Sequence, residues 1–503
     1  MKPTTSRPGT EPAPGRLRGI LAPLLQTILV VAVALPAGIA IAPAFLGPDR
    51  PPGASETTPA WQQIPATLSD SGTAAGGIRP LSDAAPVPAG AALAAQLNET
   101  LKPDGAGTFT GIVQDAATGQ VLFERAADDA RIPASNMKLL TAGAALRVLG
   151  PDRRFSTRVV AGPTPGSVVL TGGGDVLLGA GESAPGAVLG RAGLATLAQA
   201  TVDALQADGV TGAVSVQLDD SLFSGPSLNQ AWSPEDVAAG EMAPLFPLAL
   251  NSARFDPAKT TGPRPQDAAM TAAEAFAARL TAAAATAGLS VTPGVARVQP
   301  GDAPESEHGK DSARAKVLAE VQSATVGQQV DLMLQTSDNY LAEVLGRMTA
   351  LGAGRPGSGE DAIAAVLQQV QDMGIPTDAL RAADVSGLAL ANRVSARQLT
   401  DVVRAMTSGA DTRLRAALSG FPVAGLTGTL GGRYTDAASA AGAGLVRAKT
   451  GTLNTVIALS GYVVDADGRL LVFSFVGNGL TPGAANRAAL DRSASILAGC
   501  GCR

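Results

Sequence analysis

Three short motifs bring together side chains able to run nucleophilic chemistry. Ser135-Asn-Met-Lys138 opens a stretch of helical periodicity, with Leu139, Ala142, Leu146 and Leu149 at helical spacing. A separation of three places Ser135 and Lys138 on one helical face, one turn apart. Serine at the N-terminal end of a helix sits among free backbone N–H groups that can stabilise an oxyanion. A lysine held there can shed its proton and activate the serine as a nucleophile. The plainer reading is an N-cap serine beside a solvated lysine. The chain holds no other Ser-x-x-Lys.

Ser337-Asp-Asn339 lies between an apolar helix (Val330 to Leu334) and a following one (Tyr340 to Met348). A rigid turn between helices can aim polar side chains into a cleft, although Ser, Asp and Asn also serve as ordinary helix caps. Ser227-Leu-Asn229 matches the same Ser-x-Asn pattern but sits in a turn-rich loop. Lys449-Thr450-Gly451 ends a predicted strand. Its cation and hydroxyl can hold a carboxylate, and glycine lets a substrate backbone approach closely. The alternative there is a surface strand end with its lysine reaching for solvent.

The rest of the composition narrows the chemistry further. The 503 residues contain one histidine, His308, in the polar stretch Asp302 to Lys310. A Ser-His-Asp site resting on it, or a zinc site needing two or more, is disfavoured, and no cofactor or metal is expected. Lysines are scarce, at 2, 102, 138, 259, 310, 316 and 449, yet two of them stand in the motifs. With 38 basic against 43 acidic residues and 3% aromatics, the chain lacks the charge and stacking surface of a nucleic-acid binder. Cys500 and Cys502 read as a tail without a mechanistic role, since a bridge between them closes a very tight ring.

Elements must bring these motifs together. Thr108–Gln114 and Gln120–Glu124 flank the turn 115–119 as a β-hairpin, and Ser135–Leu149 reads as a helix. From Phe155 to Val298, short Val-rich strands alternate with Gly/Pro turns, followed by an Ala-rich helix over 272–287. Helices are predicted again from about Ser312 to Met348 and over 361–373. Strands over 444–450, 456–464 and 469–476 and a helix over 484–497 close the chain. Strands at both ends with helices between predict an α/β (α+β) fold, its antiparallel sheet built from both ends of the globular region. The expected division is a split catalytic domain, 91–155 and 312–503, around an inserted 156–311.

Ahead of this, a basic tail (1–18) precedes an uncharged apolar run (19–47) long enough to cross a bilayer. Residues 48–90 are rich in Pro, Ala and Gly and read as a tether. The run is either a signal anchor, with the N-terminus in the cytoplasm, or a signal peptide cleaved at a site such as Ala40-Ile-Ala42. Both readings put the globular part outside the cytoplasm.

Ser-x-x-Lys, Ser-Asp-Asn and Lys-Thr-Gly in this order resemble the serine penicillin-binding proteins and β-lactamases. Arg131-Ile-Pro-Ala-Ser-Asn-Met-Lys138, Thr171-Gly-Gly-Gly-Asp175, Asp219-Asp-Ser-Leu-Phe-Ser-Gly225, Asp384-Val-Ser-Gly-Leu388 and Ala448-Lys-Thr-Gly-Thr-Leu-Asn454 are most similar to the class C, penicillin-binding protein 4 type. This is peptidase family S13, the D-alanyl-D-alanine carboxypeptidases/endopeptidases. The resemblance covers about 91–497 and implies a transpeptidase-like catalytic domain with a large insertion between the first two motifs. It implies peptidoglycan stem peptides as substrate and β-lactams as covalent inhibitors. Ser135 becomes the nucleophile, Lys138 its base, Ser337 a proton relay and Asn339 the group that orients the acyl chain. Lys449, Thr450, Gly451 and Thr452 would bind substrate, with the N–H groups of Ser135 and Thr452 as oxyanion hole. Asp384-Val-Ser-Gly departs from the family's commoner Asp-Gly-Ser-Gly, and Ser386 reads as part of a turn. A β-lactamase or esterase-like hydrolase and a non-catalytic wall-binding protein are the alternatives.

Overall fold

The computed structural model describes residue 81 and residues 84–298 and 315–501. The basic tail, the apolar run, most of the tether, His308 and Cys502 lie outside the described residues. The described residues fall in one compact unit, 80–503.

The strands are β1 (Thr108–Asp115), β2 (Val121–Arg125), β3 (Ser156–Ala161), β4 (Ser167–Thr171), β5 (Asp175–Leu178) and β6 (Gly212–Asp219). They continue with β7 (Leu248–Leu250), β8 (Leu289–Arg297), β9 (Val317–Gln322), β10 (Arg447–Leu453), β11 (Val456–Val464) and β12 (Leu470–Asn478). The helices are α1 (Gly90–Thr100), α2 (Met137–Leu149), α3 (Leu194–Ala207), α4 (Pro234–Ala239) and α5 (Ala268–Thr286). After them come α6 (Val326–Thr336), α7 (Asn339–Gly352), α8 (Gly359–Asp372), α9 (Ala396–Ser408) and α10 (Ala484–Gly499).

The first sheet has the order β10-β11-β12-β1-β2 and is antiparallel throughout. It closes because β12 lies beside β1 in register from Thr108↔Asn478 to Asp115↔Leu471, which joins the two ends of the chain. Both faces are covered, so β1 and β12 read as nearly continuous buried runs instead of alternating ones. Helices α1 and α10 pack one face with Phe109, Val113, Phe473 and Phe475. On the other lies the larger core, where α2, α6, α7, α8 and α9 meet around Leu140, Val330, Leu345 and Val402.

The second sheet, β8-β6-β4-β3-β9, is mixed: β4, β6 and β8 are parallel, joined by crossovers through α3 and α5. Its last strand corrects the helix expected from Ser312. Ala319 and Val321 turn inward while Glu320 and Gln322 turn out, a period of two that pairs with β3. Glu320 also meets Arg158 across that pairing. The helix begins only at Val326, after the capping box of Thr325 and Gln328. Beyond α10, Cys500 is buried and disulfide-bonded.

Candidate active site

Ser135 lies in a 3-10 turn, Ala134–Asn136, that leads into α2. The N-cap of α2 is Asn136 in place of Ser135, and the Ser135 hydroxyl meets Lys138. Ala134 holds φ +46, a left-handed conformation uncommon outside glycine. Neighbours impose it. A Cβ on Gly387 would stand 1.9 Å from the Ala134 carbonyl, and one on Gly451 would stand 2.9 Å from the Pro133 carbonyl and 3.2 Å from the Ser135 nitrogen. Both glycines let strand and loop close on the serine turn. Asn136 pins it from below, donating to Ser460 Oγ on β11 at 2.8 Å.

Lys138 is fully buried, which removes the reading of a solvated lysine. Its Nζ meets Ser135 Oγ at 3.0 Å, Asn339 Oδ1 at 2.6 Å and the Ser386 carbonyl at 2.7 Å. Two of these partners are acceptors only, and Asn339 is oriented by its own amide donating to the Glu241 carbonyl at 3.1 Å. They claim two N–H bonds. In the neutral amine the remaining lone pair therefore points at the Ser135 hydroxyl. Burial pushes Lys138 down to about 8, against the opposing pull of Asp384, Asp338, Glu343 and Glu241.

Ser337 terminates α6 in the left-handed conformation, φ +59, and Asp338 caps α7 by accepting from the Leu341 N–H at 3.0 Å. This tight joint sends the Ser337 and Asn339 side chains to one side. Burial raises Asp338, but Arg254, 2.6 Å away, and Arg264 outweigh it and hold the carboxyl below its ordinary range. Lys449, on β10, donates to Ser337 Oγ at 2.9 Å and to the Thr450 carbonyl at 2.8 Å. It too is fully buried, and burial, reinforced by Lys138, drives its pKa well below that of a free lysine.

β10 is an edge strand. The Ala448 N–H points away from β11 to the Pro422 carbonyl. By the period of two, the N–H groups of Thr450 and Thr452 leave the sheet on that same side. Ser135, Ser337, Asn339, Thr450 and Thr452 line one cleft of about 1690 Å³. Gly451 packs against the serine turn, and the two lysines stand behind the cleft wall. The competing Ser227-Leu-Asn229 goes elsewhere: Asn229 donates to the Ala383 carbonyl at 2.7 Å. Among the described residues no group of three or more His, Cys, Asp or Glu is arranged to hold a metal ion.

Sequence reasoning missed several participants. The Ser386 carbonyl contacts Lys138, Glu343 accepts from the Val385 and Ser386 N–H groups, and Thr429 shares a 2.7 Å hydrogen bond with Thr450. The available signal was Asp384-Val-Ser-Gly, which read only as a turn.

The sequence model of the D-Ala-D-Ala carboxypeptidase 3 (S13) family matches residues 93–292 and 263–498. The chain belongs to this family. A carboxypeptidase named DacB from Mycolicibacterium smegmatis is 36% identical over 433 residues, covering 86% of this chain and 89% of the relative. A D-alanyl-D-alanine carboxypeptidase from an Actinomadura species is 30% identical over 439 residues, covering 74% and 78%. The crystal structure of penicillin binding protein 4 from Haemophilus influenzae superposes with a TM-score of 0.63 at 20% identity, covering 80% of this chain and 98% of that one. The overall fold is thus shared with that structure.

Proposed function

We propose that this S13 protein is a serine D-alanyl-D-alanine carboxypeptidase that removes the terminal D-Ala of peptidoglycan stem peptides, and that Ser135 carries the acyl group. The contact of the buried Lys138 amine with the Ser135 hydroxyl carries the reading, because it supplies a general base among described residues that include no histidine.

Ser135 Oγ attacks the carbonyl of the penultimate D-Ala as its proton passes to the Lys138 lone pair. The N–H groups of Ser135 and Thr452 receive the oxyanion. The departing amine takes its proton through Ser337, which Lys449 holds in place. The terminal carboxylate meets the hydroxyls of Thr450 and Thr452 in the cleft, with the Lys449 charge behind them. Water, activated by Lys138 once it is neutral again, then hydrolyses the acyl-enzyme. A β-lactam offers the same carbonyl and carboxylate but keeps its leaving group tethered, so it traps Ser135.

The same acyl step extends to crosslinks, whose leaving amine also belongs to a D-amino-acid linkage. The cleft volume exceeds what a dipeptide fills and accommodates an extended strand. Such substrates lie outside the cytoplasm, which agrees with the apolar run at 19–47 serving as signal or anchor. A β-lactamase needs a further base for rapid deacylation. Glu343 on α7, a carboxylate near the site, spends one oxygen on two backbone N–H groups.

A fluorescent penicillin is expected to label the wild type persistently and Ser135→Ala not at all, and the wild type to release D-Ala from a stem-peptide mimic. Digestion of a dimeric muropeptide reads the crosslink activity. Rapid turnover of the drug without a stable adduct indicates the β-lactamase instead. Neither labelling nor D-Ala release would leave a wall-binding protein.

A further inference from the structure

Between α8 and α9, a loop tucks one peptide unit against the base. The carbonyl of the unit joining Ser386 to Gly387 accepts from Lys138 Nζ at 2.7 Å, and its N–H donates to Asp384 Oδ1 at 2.8 Å. A trans peptide directs its C=O and N–H to opposite sides, so the unit spans carboxylate and amine with its dipole aligned between them. The Asp384 carboxyl is fully buried and accepts four further hydrogen bonds. These come from Asn392 Nδ2 (2.7 Å), the Ala389 N–H (2.7 Å), Trp232 Nε1 (2.9 Å) and Ser386 Oγ (3.1 Å). All five partners are donors, one more than the roughly four lone pairs a carboxylate offers, so both oxygens are fully engaged. Gly387 is obligatory in this arrangement, with φ +87 and no room for a Cβ beside Ala134.

We propose that Asp384 is a positioning residue for Lys138, acting through the Ser386–Gly387 peptide. The inference rests on the functional reading above and adds a residue to it. Asp384 draws electron density along the peptide toward the Ser386 carbonyl, which strengthens that acceptor and holds the Lys138 lone pair on Ser135. It also ties the base to the insert, because Trp232 is one of its donors. Lys138 is faced by Asp338 and Glu343 from α7, Glu241 from the insert and the Lys449 cation from β10 as well as by Asp384, whose opposing effect on its pKa is the largest of the carboxylates.

The test is the pH profile of penicillin acylation of the whole protein, in wild type and Asp384→Asn, with thermal melts to establish folding. The amide can still accept from the Gly387 N–H but carries no charge. The acidic midpoint of the profile is expected to fall by about one pH unit. A uniform loss of rate with the midpoint unmoved overturns the proposal. Asn392→Ala provides the second reading should Asp384→Asn not fold. It strips a competing donor from Asp384 Oδ1, leaving that oxygen to the Gly387 N–H, so the midpoint is expected at or above the wild-type value. A lower midpoint there also overturns the proposal. Absence of wild-type acylation at Ser135 would instead strike the functional reading.

Discussion

Lys138 is the point at which the site can be interrogated most sharply. Under the proposed mechanism acylation requires its neutral form, because only that form can accept the Ser135 proton. Protonation at low pH therefore removes activity, and the rate rises with pH through the lysine's pKa. Burial lowers that pKa to about 8, from the 10.5 of a free lysine. With a pKa of about 8, roughly one molecule in eleven is neutral at pH 7 and ten in eleven at pH 9, a rise of about tenfold. An unshifted lysine would rise about a hundredfold over the same interval and start from roughly one neutral molecule in three thousand. The assay is the second-order rate of adduct formation with a fluorescent penicillin, followed by stopped flow across pH 6 to 10 with stability monitored at each pH. A hundredfold rise would refute the burial argument, because Lys138 would then titrate as though solvated. A flat profile would refute its role as base.

Gly451→Ala tests the close approach of strand and serine turn. Its Cβ meets backbone atoms at 2.9 and 3.2 Å, so β10 must back away, and acylation is expected to fall at least about tenfold with little change in melting temperature. Equal rates in the two proteins would mean that the contact does not set the site. Lys449→Ala removes the charge behind the carboxylate. Loss of that charge behind the Thr450 and Thr452 hydroxyls is expected to cost up to about 1.5–3 kcal/mol, or about 10- to 150-fold, for a carboxylate-bearing penicillin, and much less for its methyl ester. Equal losses for acid and ester would exclude carboxylate recognition. Arg469→Ala leaves the Asp115 carboxylate buried in the first sheet without the guanidinium that donates to it at 2.8 Å. Unfolding free energy is expected to drop by about 3–5 kcal/mol in a denaturant titration, while the acylation pH midpoint of the folded protein stays in place.

Some of the architecture was legible because its causes are local. The Ser135 helix, the hairpin of β1 and β2, and the terminal strands follow from apolar spacing and turn residues, which neighbouring sequence sets. The segment before α6 was misread because a six-residue strand with two inward positions resembles the flank of a helix until its partner is known. Its partner β3 lies more than 150 residues earlier in the chain. Helix α9 went unnoticed, although Ser395 and Gln398 form a capping box at its start. The candidate site residues were legible as types and spacings. Their states were not.

Ser-x-x-Lys within a single helical turn determines by sequence alone that serine and lysine meet, because 3.6 residues per turn leaves them adjacent wherever the helix goes. The scarcity of histidine likewise points away from a histidine base before any coordinates are known. Tertiary structure decided that this lysine is buried and held against the Ser135 hydroxyl. Its burial comes from α7, β10, the segment at Glu241 and the 384–387 loop closing together, segments roughly 100 to 310 residues from it along the chain. So do the Asn339 and Ser386 acceptors that aim its lone pair. Proximity along a helix is a property of the local chain, whereas a lowered pKa is a property of everything that keeps water away.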